Sequence, residues 1–328
     1  MDNIQTSSIT KQYYRLRQTL GHISSQLPTK FFGMGYTKVA VSGATGNLGP
    51  AVVEQLVDAG LDVTILSQSG KTTGLPSSVK VIKVDYSSQD SLVSALKGNE
   101  AYVCLVPDHG SQPALIDAAI AAGVKRFIPS EFGSNVSGNS KTAALPVFAG
   151  KKKTQDYLAQ KASEISYTIV VNGLFLDWCI QVGLIANLKG GKTTLYDGGD
   201  TKFSSTKLSD IGKAVAGILK HPEETKNRTV YIQTALISQN KILNIAKKLK
   251  PDVKIDAEDV KIADVEKSAY EALQQGGDKI GEAMIGFIKV SVMDPECGAN
   301  WSDKNDNALL GIKDATDEDL EKIVAQLL

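Results

Sequence analysis

The sequence predicts an α/β protein built on a doubly wound parallel sheet, with a smaller lobe formed by its C-terminal part. Three observations predict it. Short β-rich runs alternate with amphipathic helical stretches from Thr37 to Pro129, joined by short loops, which is the pattern of a parallel sheet with crossover helices. Runs such as Ala101 to Val106 (AYVCLV) are apolar throughout, as strands covered on both faces require. The first run also empties into three closely spaced glycines instead of a hairpin turn.

The elements follow in order. Lys38 to Ser42 is the first strand. Pro50 to Ala59 is a helix with Val52, Val53, Leu56 and Val57 on one face and Gly60 at the C-cap. Strands are expected over Leu61 to Leu66 and Val79 to Val84, and a helix over Ser88 to Leu96 capped by Ser87 or Ser88. The strand Ala101 to Val106, the helix Pro113 to Ala122 closed by Gly123, and the strand Arg126 to Pro129 complete the regular half. Beyond it, helices are expected over Lys151 to Ala162, Leu174 to Leu188, Ser209 to Leu219 (capped by Ser209 or Asp210), Gln239 to Leu249 and Ile262 to Leu273. Strands are expected over Tyr167 to Val171 and Thr229 to Gln233, and a turn-rich stretch over Leu195 to Phe203.

Composition excludes several classes of function. The chain has 328 residues, 42% hydrophobic and 22% charged, which suits a globular protein. Lys plus Arg and Asp plus Glu are equal at 36 each, so bulk charge gives no reason to expect nucleic acid or a membrane surface as partner. No run reaches the roughly 18 apolar residues of a membrane span. Cys104, Cys179 and Cys297 are scattered, as are the three histidines, so no zinc site is expected, and a reducing, cytoplasmic location is. Residues 1–35 carry Lys11, Arg15, Arg17 and Lys30 against Asp2 alone. Both an organelle transit segment and a structural extension or tail fit that bias.

The chemistry starts at Val41 to Gly49 (VSGATGNLG). Gly43, Gly46 and Gly49 stand in a G-x-x-G-x-x-G spacing between a strand and a helix, where a dinucleotide is bound. Gly43 permits the sharp exit from the strand, Gly46 lets the backbone approach a pyrophosphate, and Gly49 lets the helix pack closely on the strand. Thr45, Asn47 and Leu48 add backbone N–H groups at the helix N-terminus. The second strand ends in Ser67-Gln68-Ser69-Gly70-Lys71 with no carboxylate. An acidic residue there would bind the ribose hydroxyls of NAD. Its absence, with Ser67, Gln68, Ser69 and Lys71 in place, favours NADP. Asp85 and Tyr86 follow the third strand, where adenine is met. Leu105, Val106 and Pro107 follow the fourth, Ser130 to Gly133 the fifth, and Asn172 to Phe175 the sixth, bordering the nicotinamide. Residues 36–173 therefore read as the dinucleotide-binding domain and 174–328 mainly as a substrate-binding lobe interleaved with the last strands.

The run VSGATGNLG resembles the opening of the isoflavone reductase-like, phenylcoumaran benzylic ether reductase and NmrA-like family of atypical short-chain dehydrogenases/reductases. Val84-Asp-Tyr86, Leu115-Ile-Asp-Ala-Ala119, Ala122 to Gly133 (AGVKRFIPSEFG) and Asp306 to Gly311 (DNALLG) continue the resemblance in order over roughly residues 37–312. It implies an NADPH-dependent reductase of small aromatic, phenolic or unsaturated carbonyl-type molecules. It also implies a reactive lysine on the helix after the fifth strand. Lys151 matches that position in Phe148-Ala-Gly-Lys-Lys-Lys153; Lys152 or Lys153 takes its place if the helix register shifts. Such a lysine, beside the nicotinamide in a partly dry pocket, can relay a proton as hydride moves. Two departures stand out: Gln68 where many relatives carry a basic residue, and no arginine near Gln155-Asp156.

Tyr157-Leu-Ala-Gln-Lys161 has the competing Y-x-x-x-K form, but Lys161 stands close to the next strand. Phe175, Trp178 and Phe203 are candidates for an aromatic pocket or for core, and His109 sits in the loop after the fourth strand. Alternative readings on the same fold are a non-catalytic NADP-sensing regulator and a non-redox isomerase or cyclase. The expected partner is a small-molecule substrate, and a homodimer is the assembly left open.

Overall fold

The computed structural model describes residues 35–71, 74–107 and 110–328. The expectations for residues 1–34 and for His109 fall outside them.

In chain order the elements are β1 (Lys38–Ser42), α1 (Gly49–Asp58), β2 (Asp62–Ser67), β3 (Lys80–Lys83), α2 (Gln89–Leu96), β4 (Ala101–Cys104), α3 (Gln112–Ala121) and β5 (Arg126–Ile128). Then come α4 (Ser140–Ala144), α5 (Ala149–Gln160), β6 (Ser166–Val171), β7 (Leu174–Phe175), α6 (Leu176–Gln181), β8 (Gly191–Tyr196), β9 (Phe203–Thr206), α7 (Leu208–Lys220) and β10 (Arg228–Tyr231). The chain closes with β11 (Ala235–Ile237), α8 (Gln239–Leu249), β12 (Ile255–Val260), α9 (Ile262–Gln275), α10 (Lys279–Met293), α11 (Asn307–Leu310) and α12 (Asp317–Ala325).

Seven parallel strands form the main sheet in the order β10-β6-β5-β4-β1-β2-β3. The order reverses at β1, so the crevice for a ligand opens beyond the carboxyl ends of β1 and β4. Val41 on β1 stands opposite Ile65 on β2 and Val103 on β4. The apolar runs of the sequence are buried on both sides. On one face α1 and α7 cover Val39 and Val41 with Val52, Val53, Leu56, Ile211 and Val215. On the other, α2, α3 and α5 cover Tyr102 and Phe127 with Leu92, Leu96, Leu115, Ile116 and Leu158. Each such Val or Leu contributes about 1.5–3 kcal/mol on burial. A third core fills the lobe around Leu176, Phe203, Phe287 and the fully buried Trp301. Phe203 is thus core.

The regular half follows the sequence pattern, down to the Ser88 hydroxyl that accepts the Ser91 N–H at the start of α2. The second half departs from it. The expected helix over 174–188 is instead β7 and a short α6, followed by Gly183 at φ 73°. Leu174 pairs with Ser205 of β9, and the Ser205 hydroxyl donates to the Leu174 carbonyl at 2.9 Å, so a distant strand holds this segment extended. Of the stretch expected to be turns, Leu195 and Tyr196 instead end β8, which pairs with β12 through Tyr196, while Asp197–Gly199 form a short 3-10 turn and the chain stays irregular up to β9 at Phe203. Helix α7 starts at Leu208, with Lys207 at the N-cap position and no side-chain capping bond. Asp210 lies inside its first turn, accepting the Thr234 hydroxyl at 2.6 Å. Helices α10 and α12 were outside the sequence expectation. Among the described residues no helix is long and apolar enough to cross a membrane, and no group of three His, Cys, Asp or Glu side chains is placed to hold a metal ion.

Candidate active site

The first βα turn is built by close backbone approach. Gly43 has φ 77°, and a Cβ on it would lie 2.7 Å from the Leu105 carbonyl carbon, so the turn presses against the exit of β4. A Cβ on Gly49 would lie 2.3 Å from the Ala44 carbonyl. Gly49 therefore lets α1 start against the backbone of its own turn, where the sequence had suggested packing on the strand. At Gly46 a Cβ would meet only the Gly43 carbonyl, at 3.4 Å, among the described residues. Thr45, Gly46 and Asn47 are exposed; Leu48, buried, caps α1 without a side-chain bond. Pro50 opens the helix, and no acidic residue lies in its first turn. Gly46 N and Gly49 N donate within the turn, to the Gly43 and Gly46 carbonyls, and the exposed Thr45–Asn47 segment leaves the helix N-terminus open where a pyrophosphate would sit.

The adjacent edge carries Ser67, Gln68, Ser69 and Lys71. The Ser67 hydroxyl accepts from Gly70 N at 3.1 Å and the Ser69 hydroxyl from Lys71 N at 3.3 Å, which curls the segment and leaves Gln68 and Lys71 exposed. A Cβ on Gly70 would touch the stem of Lys83, so that side chain runs beside the loop. The nearby Asp85 accepts the Ser87 hydroxyl at 2.7 Å and its N–H at 2.9 Å, and these bonds hold its carboxyl below the usual range. Tyr86 donates to the Leu66 carbonyl at 2.9 Å, and burial pushes its hydroxyl up to about 12. Tyr86 thus ties β3 to β2. Val106 is half-buried and Pro107 exposed at the β4 exit. These residues fit an adenine dinucleotide with a 2′-phosphate.

The reactive end is organised by the β5 exit loop, Pro129 to Ser134. Phe132 is buried at φ 23°, a strained value for a residue with a side chain, of the kind that costs about 1–3 kcal/mol. Several bonds enforce it. Lys151 donates to the Glu131 carbonyl, and Gln155 donates to the Glu131 carboxylate at 2.9 Å. Asn172 N and Gly173 N both donate to the Gly133 carbonyl, at 3.1 and 3.0 Å. The i, i+4 spacing puts Lys151 and Gln155 on one face of α5, and that face is locked to the loop. Lys152 pairs outward with Asp156, and Lys153 is exposed. Asn172 is fully buried. Its Oδ1 and the Nε2 of buried Gln112 have no partner among the described residues. Gln112 accepts from Ser130 N at 2.9 Å, so these two atoms flank the same loop.

Tyr157 and Lys161 are occupied elsewhere. Tyr157 donates to Asp117 of α3 at 2.6 Å, a bond that raises its pKa, and Lys161 pairs with Glu164 at 2.9 Å. Tyr157 thus ties α5 to α3 on the sheet's flank, and Lys161 is held locally at the end of α5.

The lobe adds a cavity of about 450 Å³, lined by Trp178, Leu184, Ile185, Tyr196, Ile288 and Lys289 among others. Trp178 lies three residues beyond the half-buried Phe175. Ile288 lies one turn before Ser291, whose hydroxyl meets that of Ser134 at 2.7 Å. The helix that carries Ile288 is thus bonded, one turn on, to the loop after β5. Most of this wall was not legible beforehand, because α10 had not been expected; Gln155 could have been found from its spacing to Lys151.

Comparison with known proteins places this architecture. Residues 36–281 match the model of the NmrA-like family. The chain belongs to the NmrA-like family. Oxidoreductase aprR of Aspergillus flavus is 36% identical over 218 residues, 65% of this chain and 73% of that protein. Oxidoreductase poxI of Penicillium oxalicum is 27% identical over 308 residues, 89% of this chain and 94% of that protein. Among solved structures, AtPrR2 with NADP+ and (+)pinoresinol superposes with a TM-score of 0.72 at 22% identity, over 89% of this chain and 99% of that one. This NmrA-like chain shares the fold of that structure along nearly its whole described length.

Proposed function

We propose that this NmrA-like protein is an NADP-dependent oxidoreductase that reduces a small aromatic, phenolic or unsaturated carbonyl-type metabolite. The observation that carries the reading is Lys151, held at the Glu131 carbonyl on a strained loop at the carboxyl edge of the sheet. The relatives aprR and poxI, named as oxidoreductases, and the NADP+ of the pinoresinol-bound neighbour support it.

In this reading the Gly43–Gly49 turn holds the pyrophosphate, and Ser67, Gln68 and Lys71 hold the 2′-phosphate. Asp85, Val106 and Pro107 border the adenosine and ribose, and Asn172 and Phe175 border the nicotinamide. NADPH, when bound, supplies the hydride. Lys151 gives the proton that neutralises the developing oxyanion, and the Glu131 carbonyl fixes its ammonium until then. The lobe cavity takes the substrate ring and keeps water from the reacting carbon. The protein works on this small molecule in the cytoplasm.

The test is Lys151→Met. NADPH affinity should change less than threefold, while turnover of a reducible substrate drops about 10²–10⁴-fold. A sensor would keep its activity in this variant. A protein that binds neither NADPH nor NADH would end the reading. NADPH binding about tenfold tighter than NADH, or about 1.4 kcal/mol, is the expected mark of the Ser67–Lys71 edge.

A further inference from the structure

The lobe cavity has a charge that its apolar walls do not require. Trp178 and Tyr196 give it aromatic surface, and Leu184, Ile185 and Ile288 give it aliphatic surface. Its charged lining residues are two lysines, Lys192 and Lys289, and no carboxylate lines it.

Lys289 is half-buried on α10, with its ammonium over the ring of Tyr196 at 5.4 Å from the centroid. That contact fixes the cation at the wall instead of letting it swing into water. Lys289 also borders a neighbouring groove that carries Asp264 and Glu282, yet it forms an ion pair with neither. Lys192 is exposed beside the cavity and, among the described residues, has no carboxylate within ion-pair distance, so it adds positive charge without the partial burial of Lys289. Most lysines on a protein surface extend into solvent at little cost. A partly desolvated ammonium on an aromatic face, with no counter-ion, is incomplete electrostatically and gains most from an incoming anion.

We infer that the substrate class of this site is an aromatic molecule bearing a carboxylate or other fixed negative charge, with Lys289 and Lys192 as its specificity-determining residues. This rests on the proposed reductase reading only for the word substrate; the binding itself needs neither cofactor nor turnover. The ring system lies between Trp178 and the aliphatic wall, and the anionic tail meets the ammonium groups of Lys289 and Lys192. A volume of about 450 Å³ suits a ligand of two fused or linked rings with a short acidic arm.

The experiment is calorimetry on the full cofactor-free chain with a matched pair: 2-naphthylacetate and the neutral 2-naphthylacetamide. The acid should bind at least tenfold tighter than the amide at low salt. That ratio should shrink towards one in Lys289→Met with Lys192→Met, and should survive in Lys289→Arg, which keeps both charge and aromatic contact. An amide that binds as well as the acid overturns the inference, as does a double variant that keeps the full preference. Absence of binding by either probe also overturns it. The reductase reading stands apart: it fails through loss of NADPH binding or an inert Lys151→Met, whatever the two probes do.

Discussion

The first βα turn and the lobe differ in what holds them. In the turn, backbone lies against backbone: Gly43 faces the Leu105 carbonyl and Gly49 the Ala44 carbonyl, with no room for a methyl group. In the lobe, helices α9 and α10 meet through side chains, and Val182 and Ile285 stand half-exposed at 53% and 50%. The turn has one arrangement, set by steric necessity. The lobe instead presents side-chain surface, including the exposed Val182 and Ile285. The difference separates the two proposed sites: phosphate binding at the turn would rest on backbone geometry, whereas the inferred substrate preference would rest on side chains such as Lys289.

The same substitution in the two regions gives the largest contrast. Gly49→Ala puts a Cβ 2.3 Å from a carbonyl that cannot retreat, and should cost about 3 kcal/mol together with measurable NADPH affinity. Gly286→Ala puts a Cβ 2.8 Å from the Ala269 methyl across the α9–α10 seam. There the helices can shift, and alanine regains about 1 kcal/mol of helix propensity, so the net loss should stay near 1 kcal/mol. Chemical denaturation of both variants checks the order. Equal losses would mean that the lobe is as rigid as the turn.

The loop after β5 sharpens the comparison, because it borrows rigidity from α5. Gln155→Leu removes the bond to the buried Glu131 carboxylate and should cost about 2 kcal/mol. It should also lower kcat, with KM nearly unchanged, because Phe132 and the Glu131 carbonyl lose one of their restraints. Gln155→Glu would set two carboxylates together and should be worse. Tyr157→Phe is the control on the same helix. It loses only the bond to Asp117, so stability should fall by about 1 kcal/mol and kcat should stay within twofold. A hundredfold fall in kcat for Tyr157→Phe would restore the Y-x-x-x-K pair as the proton donor.

The same contrast explains what could be read from the sequence. Gly43 to Gly49 and the strands β1 to β5 were legible because their rules are local: a strand of period two, a helix of period 3.6, and glycines where backbone must touch. Lys151 came from the family resemblance, and its partner on the Glu131 carbonyl required the fold. Leu174 and Phe175 read as helix because their extended shape is imposed by Ser205 and Thr206 of β9, some thirty residues on. The lobe cavity needed α6, β8 and α10 together, and no local pattern joins Trp178 to Lys289.

The smallest expected effect lies at the opposite edge of the sheet, and it tests whether the turn's strand is anchored independently of the site. Glu100 accepts from Thr37 N at 2.8 Å, the Thr37 hydroxyl at 3.0 Å and Lys38 N at 3.3 Å, tying the start of β1 to the start of β4. These bonds, led by the Thr37 amide, hold its carboxyl below the usual range. Because the folded value is the lower one, the contribution is fully present above the unfolded value of about 4.3 and is lost as pH drops through the folded value. Glu100→Gln should therefore melt slightly below the wild type at pH 7, by less than about 1 kcal/mol for so accessible a group, and the difference should shrink as pH falls into the acid range. Melting curves that stay parallel from pH 7 to pH 3 would show that the Glu100 charge contributes nothing and that β1 is held by its pairing with β2 and β4 alone.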